Sequence, residues 1–183
     1  SVTYSAKTGY TIGSKGSTSI TVNSNITSSN IYCTATVNSY TATWSTGTGY
    51  TITVNRTSSP NKGAGTGSIS SGTTVYYGDV LSISYSANTG YSLATKGKTS
   101  ITVSQNITSS DIYATASPNS YTYTIKYKSS NGTDLGSSSA TYKFGTTNTI
   151  TAPEKTGYIT PSSQSVKWDA TSKTVTFTYA TKT

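Results

Sequence analysis

The first 40 residues of the chain recur 81 positions later. Ser1 aligns with Ser82, Tyr4 with Tyr85, Gly9-Tyr10 with Gly90-Tyr91 and Tyr40 with Tyr121, and about two-thirds of the aligned positions are identical. A repeat of this period must be read copy by copy, because each copy is a structural unit that packs against the next. The alignment divides the sequence into residues 1–40, the C-terminal half of a module; residues 41–121, a complete module; and residues 122–183, a divergent third. In that scheme the half-module lacks a counterpart of Thr41–Leu81, as a piece of a longer array would. Its expected consequence is an open sheet edge, or an edge covered by a neighbouring chain.

The composition decides the kind of structure each copy takes. Only 32% of the 183 residues are hydrophobic and 10% charged, but the polar majority is Ser and Thr, with 16 Tyr. Thr, Tyr, Val and Ile suit a pleated, half-buried surface, and long helix-forming runs of Ala, Leu, Glu and Lys are missing. The expected fold class is all-β: tandem small antiparallel sheet modules in an elongated rod.

Period-2 alternation marks the strands. In residues 1–40 the apolar positions Val2 and Tyr4, then Ile20 and Val22, then Ile31, Cys33 and Ala35 predict three strands, with Gly9, Gly13 and Gly16 punctuating turns. Cys33 is the only cysteine, has Ala114 as its repeat counterpart, and is expected to be a small buried core residue. The complete module continues with Ala42 and Trp44, then Tyr50, Ile52 and Val54, a loop from Pro60 to Gly67, then Ile69, Val75 and Tyr77. Gly78-Asp79 is the turn into Leu81, Ile83 and Tyr85. The last segment follows the same plan, with Tyr142-Lys143-Phe144-Gly145 in place of Val75-Tyr76-Tyr77-Gly78, and Thr156-Gly157-Tyr158 in place of Thr89-Gly90-Tyr91. The Val-Asn-Ser and Ser-Pro-Asn-Ser junctions are too short for a flexible string.

Most chemistry can be set aside. The chain has no histidine, so Ser-His, Cys-His and histidine-metal arrangements cannot form within it. Asp79, Asp111, Asp134, Glu154 and Asp169 are scattered and read as turn residues rather than a paired-carboxylate site. Asn131-Gly132-Thr133-Asp134 reads as a hairpin turn, because the calcium-loop ligand series is missing. Lys126 and Lys167 alternate with Ile125 and Trp168, which puts them on the wet face and away from isopeptide chemistry. The triplets at Asn25, Asn55, Asn106 and Asn131 fit the glycosylation pattern, but Thr-rich composition produces that pattern by itself. No catalytic residue, metal site or cofactor is expected.

The net charge of +8 is spread without a block of like charges. Such a field favours polyanions weakly, and no basic motif with interleaved aromatics points to nucleic acid. The aromatics divide by face. Trp44 and Trp168 alternate in step with Ala42 and Val166 and belong to the core. Tyr32 and Tyr113, opposite Ile31 and Ile112, point outward at equivalent repeat positions, and Tyr76 does likewise. Cross-strand packing accounts for such tyrosines; a shallow glycan-contact face is the sharper reading, since tyrosine offers a flat apolar ring and a hydroxyl.

Two family resemblances bear on function. Residues 121–183 resemble the MucBP-type repeats of Gram-positive surface proteins, through Tyr123-Thr-Ile-Lys-Tyr-Lys-Ser-Ser-Asn-Gly-Thr-Asp-Leu, Gly145, Ile150-Thr-Ala-Pro, Thr156-Gly-Tyr and Val175-Thr-Phe-Thr-Tyr. Residues 1–121 are similar to divergent internalin B-type bacterial repeats, through Tyr50-Thr-Ile-Thr-Val, Gly67-Ser-Ile, Tyr77-Gly-Asp, Leu81-Ser-Ile-Ser-Tyr and Thr89-Gly-Tyr. The Gly-Trp that often follows in those repeats is missing here. The resemblance implies β-grasp-like modules of secreted bacterial proteins, many of them adhesins, with no catalytic residue to carry over.

The expectation is therefore a non-enzymatic, extracellular repeat region at a bacterial cell wall or surface. It would act as a stalk or a weak multivalent binder of host or wall glycans, with neighbouring repeat modules as its closest partners and no membrane insertion. A phage tail or head fibre on the virion is the alternative, and a carbohydrate-binding accessory module of a secreted hydrolase is a third.

Overall fold

Thr, Tyr, Val and Ile alternate with small polar residues through most of the chain, and strands form where they do. The computed structural model describes residues 1–183 and contains no helix. The strands are β1 (Tyr10–Lys15), β2 (Cys33–Val37), β3 (Ser39–Ala42), β4 (Tyr50–Ser58), β5 (Gly67–Ile69), β6 (Thr73–Tyr76), β7 (Val80–Ala87) and β8 (Tyr91–Lys96). They continue with β9 (Ser100–Thr102), β10 (Ala114–Pro118), β11 (Ser120–Ser129), β12 (Asp134–Lys143), β13 (Thr147–Ile150), β14 (Tyr158–Ile159), β15 (Gln164–Lys167) and β16 (Thr174–Thr181). The chain gathers into two compact units. One is Ser1–Thr46 with Ile52–Tyr85 and Thr95–Ala114; the other is Gly47–Thr51 with Ser86–Ala94 and Thr115–Thr183.

In the first unit, β1 pairs antiparallel with β2, from Tyr10↔Val37 to Lys15↔Cys33 with an irregularity after Ile12. Strand β3 pairs with β6, Ser39↔Tyr76 to Ala42↔Thr73. A four-stranded sheet runs β5-β4-β7-β9. Its apolar faces enclose a core of Ala42, Val54, Val75, Leu81, Ile83, Val103, Ile107 and Ile112, with Trp44 half-buried against it. Each fully buried aliphatic side chain of this kind contributes about 1.5–3 kcal/mol.

Two expectations for this unit are corrected. Two of the three strands predicted in residues 1–40, at Val2–Tyr4 and Ile20–Val22, do not form, whereas the counterparts Ile83, Tyr85 and Ile101 lie in β7 and β9. Cys33 is exposed, not buried, although its counterpart Ala114 is in the core. The missing strands have one cause: Ala42, Val54 and Val75 pack with Ile83, Tyr85, Ile101 and Val103 of the second copy, and nothing equivalent covers the first. Asp79 does make the predicted turn, its N–H donating to Tyr76 O at 2.9 Å, and it is completely buried there. Its Oδ2 accepts the Tyr76 N–H at 3.0 Å and meets Arg56 Nε at 3.0 Å. Arg56 in turn donates to Thr74 O at 2.7 Å and Gly65 O at 3.3 Å, fastening the Pro60–Thr66 loop and β6 to β4.

The second unit carries a four-stranded sheet in the order β12-β11-β16-β14 and a separate β13-β15 pair. Its sheet is not uniformly antiparallel as expected: β11 and β16 run parallel, from Thr124↔Thr174 to Ser129↔Tyr179. Parallel neighbours need a long crossover, here supplied by residues 130–173 with the hairpin strand β12 and the β13-β15 pair. The core holds Tyr123, Ile125, Tyr127, Ile150, Val166, Trp168, Val175, Phe177 and Tyr179. Trp168 is fully buried as expected, its ring stacked between Tyr123 at 4.4 Å and Tyr142 at 4.6 Å between centroids. Lys126 and Lys167 are exposed. The β11–β12 turn is closed by Asn131, whose Oδ1 accepts from the Thr133 hydroxyl at 2.8 Å.

Candidate functional site

Tyr32 and Tyr113, the equivalent outward tyrosines, are 44% and 41% exposed. Each sits just before the third repeat strand, where its carbonyl accepts a glycine N–H: Gly16 to Tyr32 at 2.9 Å and Gly97 to Tyr113 at 2.8 Å. Tyr76 is only half-buried and lies beneath Lys62, whose Nζ is 5.3 Å from the ring centroid. The ammonium thus already occupies one face of that ring. Tyr32, Tyr76 and Tyr113 make no contact with one another that would build a shared platform. No three acidic or cysteine side chains gather into a metal-binding group.

Near the tyrosines, Lys98 Nζ meets Asp111 Oδ1 at 2.6 Å and holds that carboxyl below its ordinary range, against a smaller opposing effect of burial. The first copy has Ser17 and Asn30 at these places, so the ion pair belongs to one copy only. Tyr85 donates its hydroxyl to Lys98 O at 2.8 Å, and burial pushes its acidity down.

A second constellation was not anticipated from the sequence, and it recurs. Asn38 donates its N–H to Gly9 O at 2.8 Å, its carbonyl accepts the Tyr77 N–H at 3.0 Å, and its Oδ1 accepts the Thr11 hydroxyl at 2.7 Å. At the repeat distance, Asn119 donates to Gly90 O at 2.8 Å, accepts the Phe144 N–H at 2.9 Å and accepts the Ser92 hydroxyl at 2.7 Å. A related clasp joins Asn88 to Gly49 at 2.9 Å, with Thr51 on Oδ1 at 3.0 Å, but the N–H on its carbonyl is that of Tyr91 in the same turn, at 3.0 Å.

Each clasp needs glycine for two reasons. Gly9 and Gly90 hold φ of +82° and +84°, in the region that side chains disfavour. An aromatic ring also lies directly on each: a Cβ on Gly9 would overlap Tyr77, and one on Gly90 would overlap Phe144. Tyr91 packs edge-on to Phe144, with centroids 5.6 Å apart. Asparagine supplies a backbone donor, a backbone acceptor and a side-chain acceptor from one residue.

The chain has no match among protein-family models, curated proteins or solved structures.

The signal for the clasps was present in the sequence. Thr-Gly-Tyr occurs at 8–10, 48–50, 89–91 and 156–158, and Asn-Ser-Tyr at 38–40 and 119–121. Glycine and asparagine read as turn punctuation, which hid their pairing across 29 residues of chain. The fourth Thr-Gly-Tyr departs from the rest. Lys182 N–H donates to Gly157 O at 2.9 Å, but Ile159 replaces the Thr or Ser, and no ring lies on Gly157. A cleft of about 410 Å³ opens there instead, lined by Glu154, Lys155, Gly157, Tyr158 and Lys182 among others.

Chemically, these arrangements fix backbone to backbone. They bring together no nucleophile with a base and no pair of carboxylates. No helix is long and apolar enough to cross a membrane.

Proposed function

We propose that this chain is a non-enzymatic repeat segment of a bacterial cell-surface adhesin, working as a stalk and as a weak multivalent binder of host or wall glycans. The observation that carries the reading is the recurrence of one clasp, Gly9–Asn38–Tyr77 and Gly90–Asn119–Phe144, where successive repeat copies meet. A joint made of one hydrogen bond between copies and a ring of the next copy seated on glycine, braced by two hydrogen bonds within the preceding copy, passes force from copy to copy, which is the task of a stalk. Resemblance of residues 121–183 to MucBP-type repeats and of residues 1–121 to internalin B-type repeats supports the same setting. Tyr32 and Tyr113 are the glycan contacts of this reading, one per copy. Repetition along the chain raises affinity by avidity where each site alone is weak.

Immunogold labelling of producing cells with antibodies to residues 41–183 tests it. Gold along the cell wall is the expected result. Gold on released phage particles would sink the adhesin reading in favour of a tail or head fibre. That second reading draws on the exposed apolar residues of the first copy, which assembly of identical chains would cover.

A further inference from the structure

We propose that the open face of residues 1–37 is a docking surface for a further copy of the segment Thr41–Leu81. Within one chain the same sequence is present twice, once with its cover and once without. Val103, Ile107 and Ile112 are 1%, 2% and 0% exposed, whereas Val22, Ile26 and Ile31, the identical residues 81 positions earlier, are 73%, 43% and 43% exposed. Ala114 is buried, and its counterpart Cys33 is open beside a cleft of about 400 Å³ lined also by Tyr10, Ile12 and Ala35.

The covered copy identifies the cover. Ala42 and Val75, each 0% exposed, and Leu81 pack on Val103, Ile107 and Ile112 in one core. Hydrogen bonds then set the register. Asn106 Oδ1 accepts the Thr41 N–H at 3.0 Å, Ile107 donates to Thr41 O at 3.0 Å, and Thr43 donates to Ile107 O at 2.9 Å. Val103 donates to Asp79 O and accepts the Gly78 N–H, both at 2.8 Å. Val22, Asn25 and Ile26 present the same groups with no partner. An apolar surface with unpaired backbone groups at fixed intervals selects a strand-forming segment over a generic apolar ligand. The chain's own Thr41–Leu81 is already engaged by the second copy, so the occupant is an additional segment of that type.

The inference rests on the repeat reading proposed above but not on cellular location, so its test needs no cell. Val22, whose counterpart Val103 is 1% exposed within that core, is the reporter position: Val22→Cys is introduced together with Cys33→Ser, which leaves a single thiol. The full chain is prepared with a copy of Thr41–Leu81 fused ahead of Ser1, and its reaction with Ellman's reagent is compared with that of the unextended chain. Docking is expected to slow the reaction by at least about tenfold, because the thiol then reacts only through local opening. The same fusion carrying Ala42→Asp and Val75→Asp in the added segment alone is expected to react at the unextended rate. Equal rates for the unextended chain and the unmodified fusion would overturn the proposal. So would protection in the unextended chain that grows with protein concentration, which would make a second whole copy the cover. Gold on phage with protection intact would remove the adhesin reading and leave this one standing.

Discussion

Arg56 and Asp79 meet at 3.0 Å with side chains only 8% and 0% exposed. The pair lies where β4, the turn after β6 and the Pro60–Thr66 loop converge, and it ties all three. Removing one partner strands the other charge in the core. Arg56→Ala or Asp79→Ala is therefore expected to cost about 3–5 kcal/mol, and the double replacement Arg56→Met with Asp79→Leu considerably less. Urea unfolding of the three variants checks it; equal losses in all three would mean that packing, not charge, dominates.

The clasp glycines separate two effects. Gly90→Ala must accept a disfavoured φ and displace the Phe144 ring, whereas Gly157→Ala, with the same φ and no ring above it, meets only the first. A left-handed alanine costs about 1–2 kcal/mol. Gly157→Ala is expected to lose about that, and Gly90→Ala at least about 1 kcal/mol more for the disturbed packing. Chemical denaturation reads the difference, and near-equal losses would show that the ring moves aside freely.

The asparagine lock is a pairwise claim. Ser92 and Asn119 share a 2.7 Å side-chain bond, so Ser92→Ala and Asn119→Ala should be non-additive. A coupling of about 0.5–1.5 kcal/mol is expected from the double-mutant cycle. Thr11→Ala with Asn38→Ala should give the same sign, since that clasp has the same geometry.

Acid sensitivity follows from Asp111. Its hydrogen bond with Lys98 lowers its folded pKa below the ordinary 3.8. A depressed carboxylate stabilises the fold above the unfolded value, and the contribution fades as pH falls through the folded one. Because Lys98 is 60% exposed, the size is at most about 1 kcal/mol. Asp111→Asn is expected to lower stability at pH 7 and to narrow the gap between pH 7 and pH 3. Denaturant midpoints at the two pH values measure it, and an unchanged gap would exclude the pair as its source.

The sequence made the strands of the second and third segments legible, because alternation such as Thr41-Ala42 or Tyr123-Thr124-Ile125 records which side chains share a face. Alternation does not record whether anything lies over that face. Ile31 and Ile112 are the same residue in the same local pattern, and only the partners contributed by residues 42–81 distinguish them. Cys33 and Ala114 likewise share a local pattern and differ in exposure. Asp79 was legible as a turn residue but not as a buried one, because the sequence shows its turn but not the arginine 23 positions earlier that accompanies it inward. Parallel pairing of β11 with β16 escaped because short alternating strands carry no mark of direction. The glycan-contact tyrosines rest on their outward placement alone, and Tyr76 shows how a neighbour such as Lys62 alters a position that alternation leaves open.

Strand direction also governs how the second unit meets tension. Ser120 opens β11 and Thr181 closes β16, and six residue pairs join the two strands in parallel. A pull entering at one and leaving at the other runs along those pairs and shears them together, so that no bond can yield first. Between Ser120 and Lys143, which face each other at the open end of the β11–β12 hairpin, the same pull peels bonds one after another. Single-molecule stretching across 120 and 181 is expected to require a markedly higher force than stretching across 120 and 143. The direction of one strand would thereby determine the force at which this unit gives way.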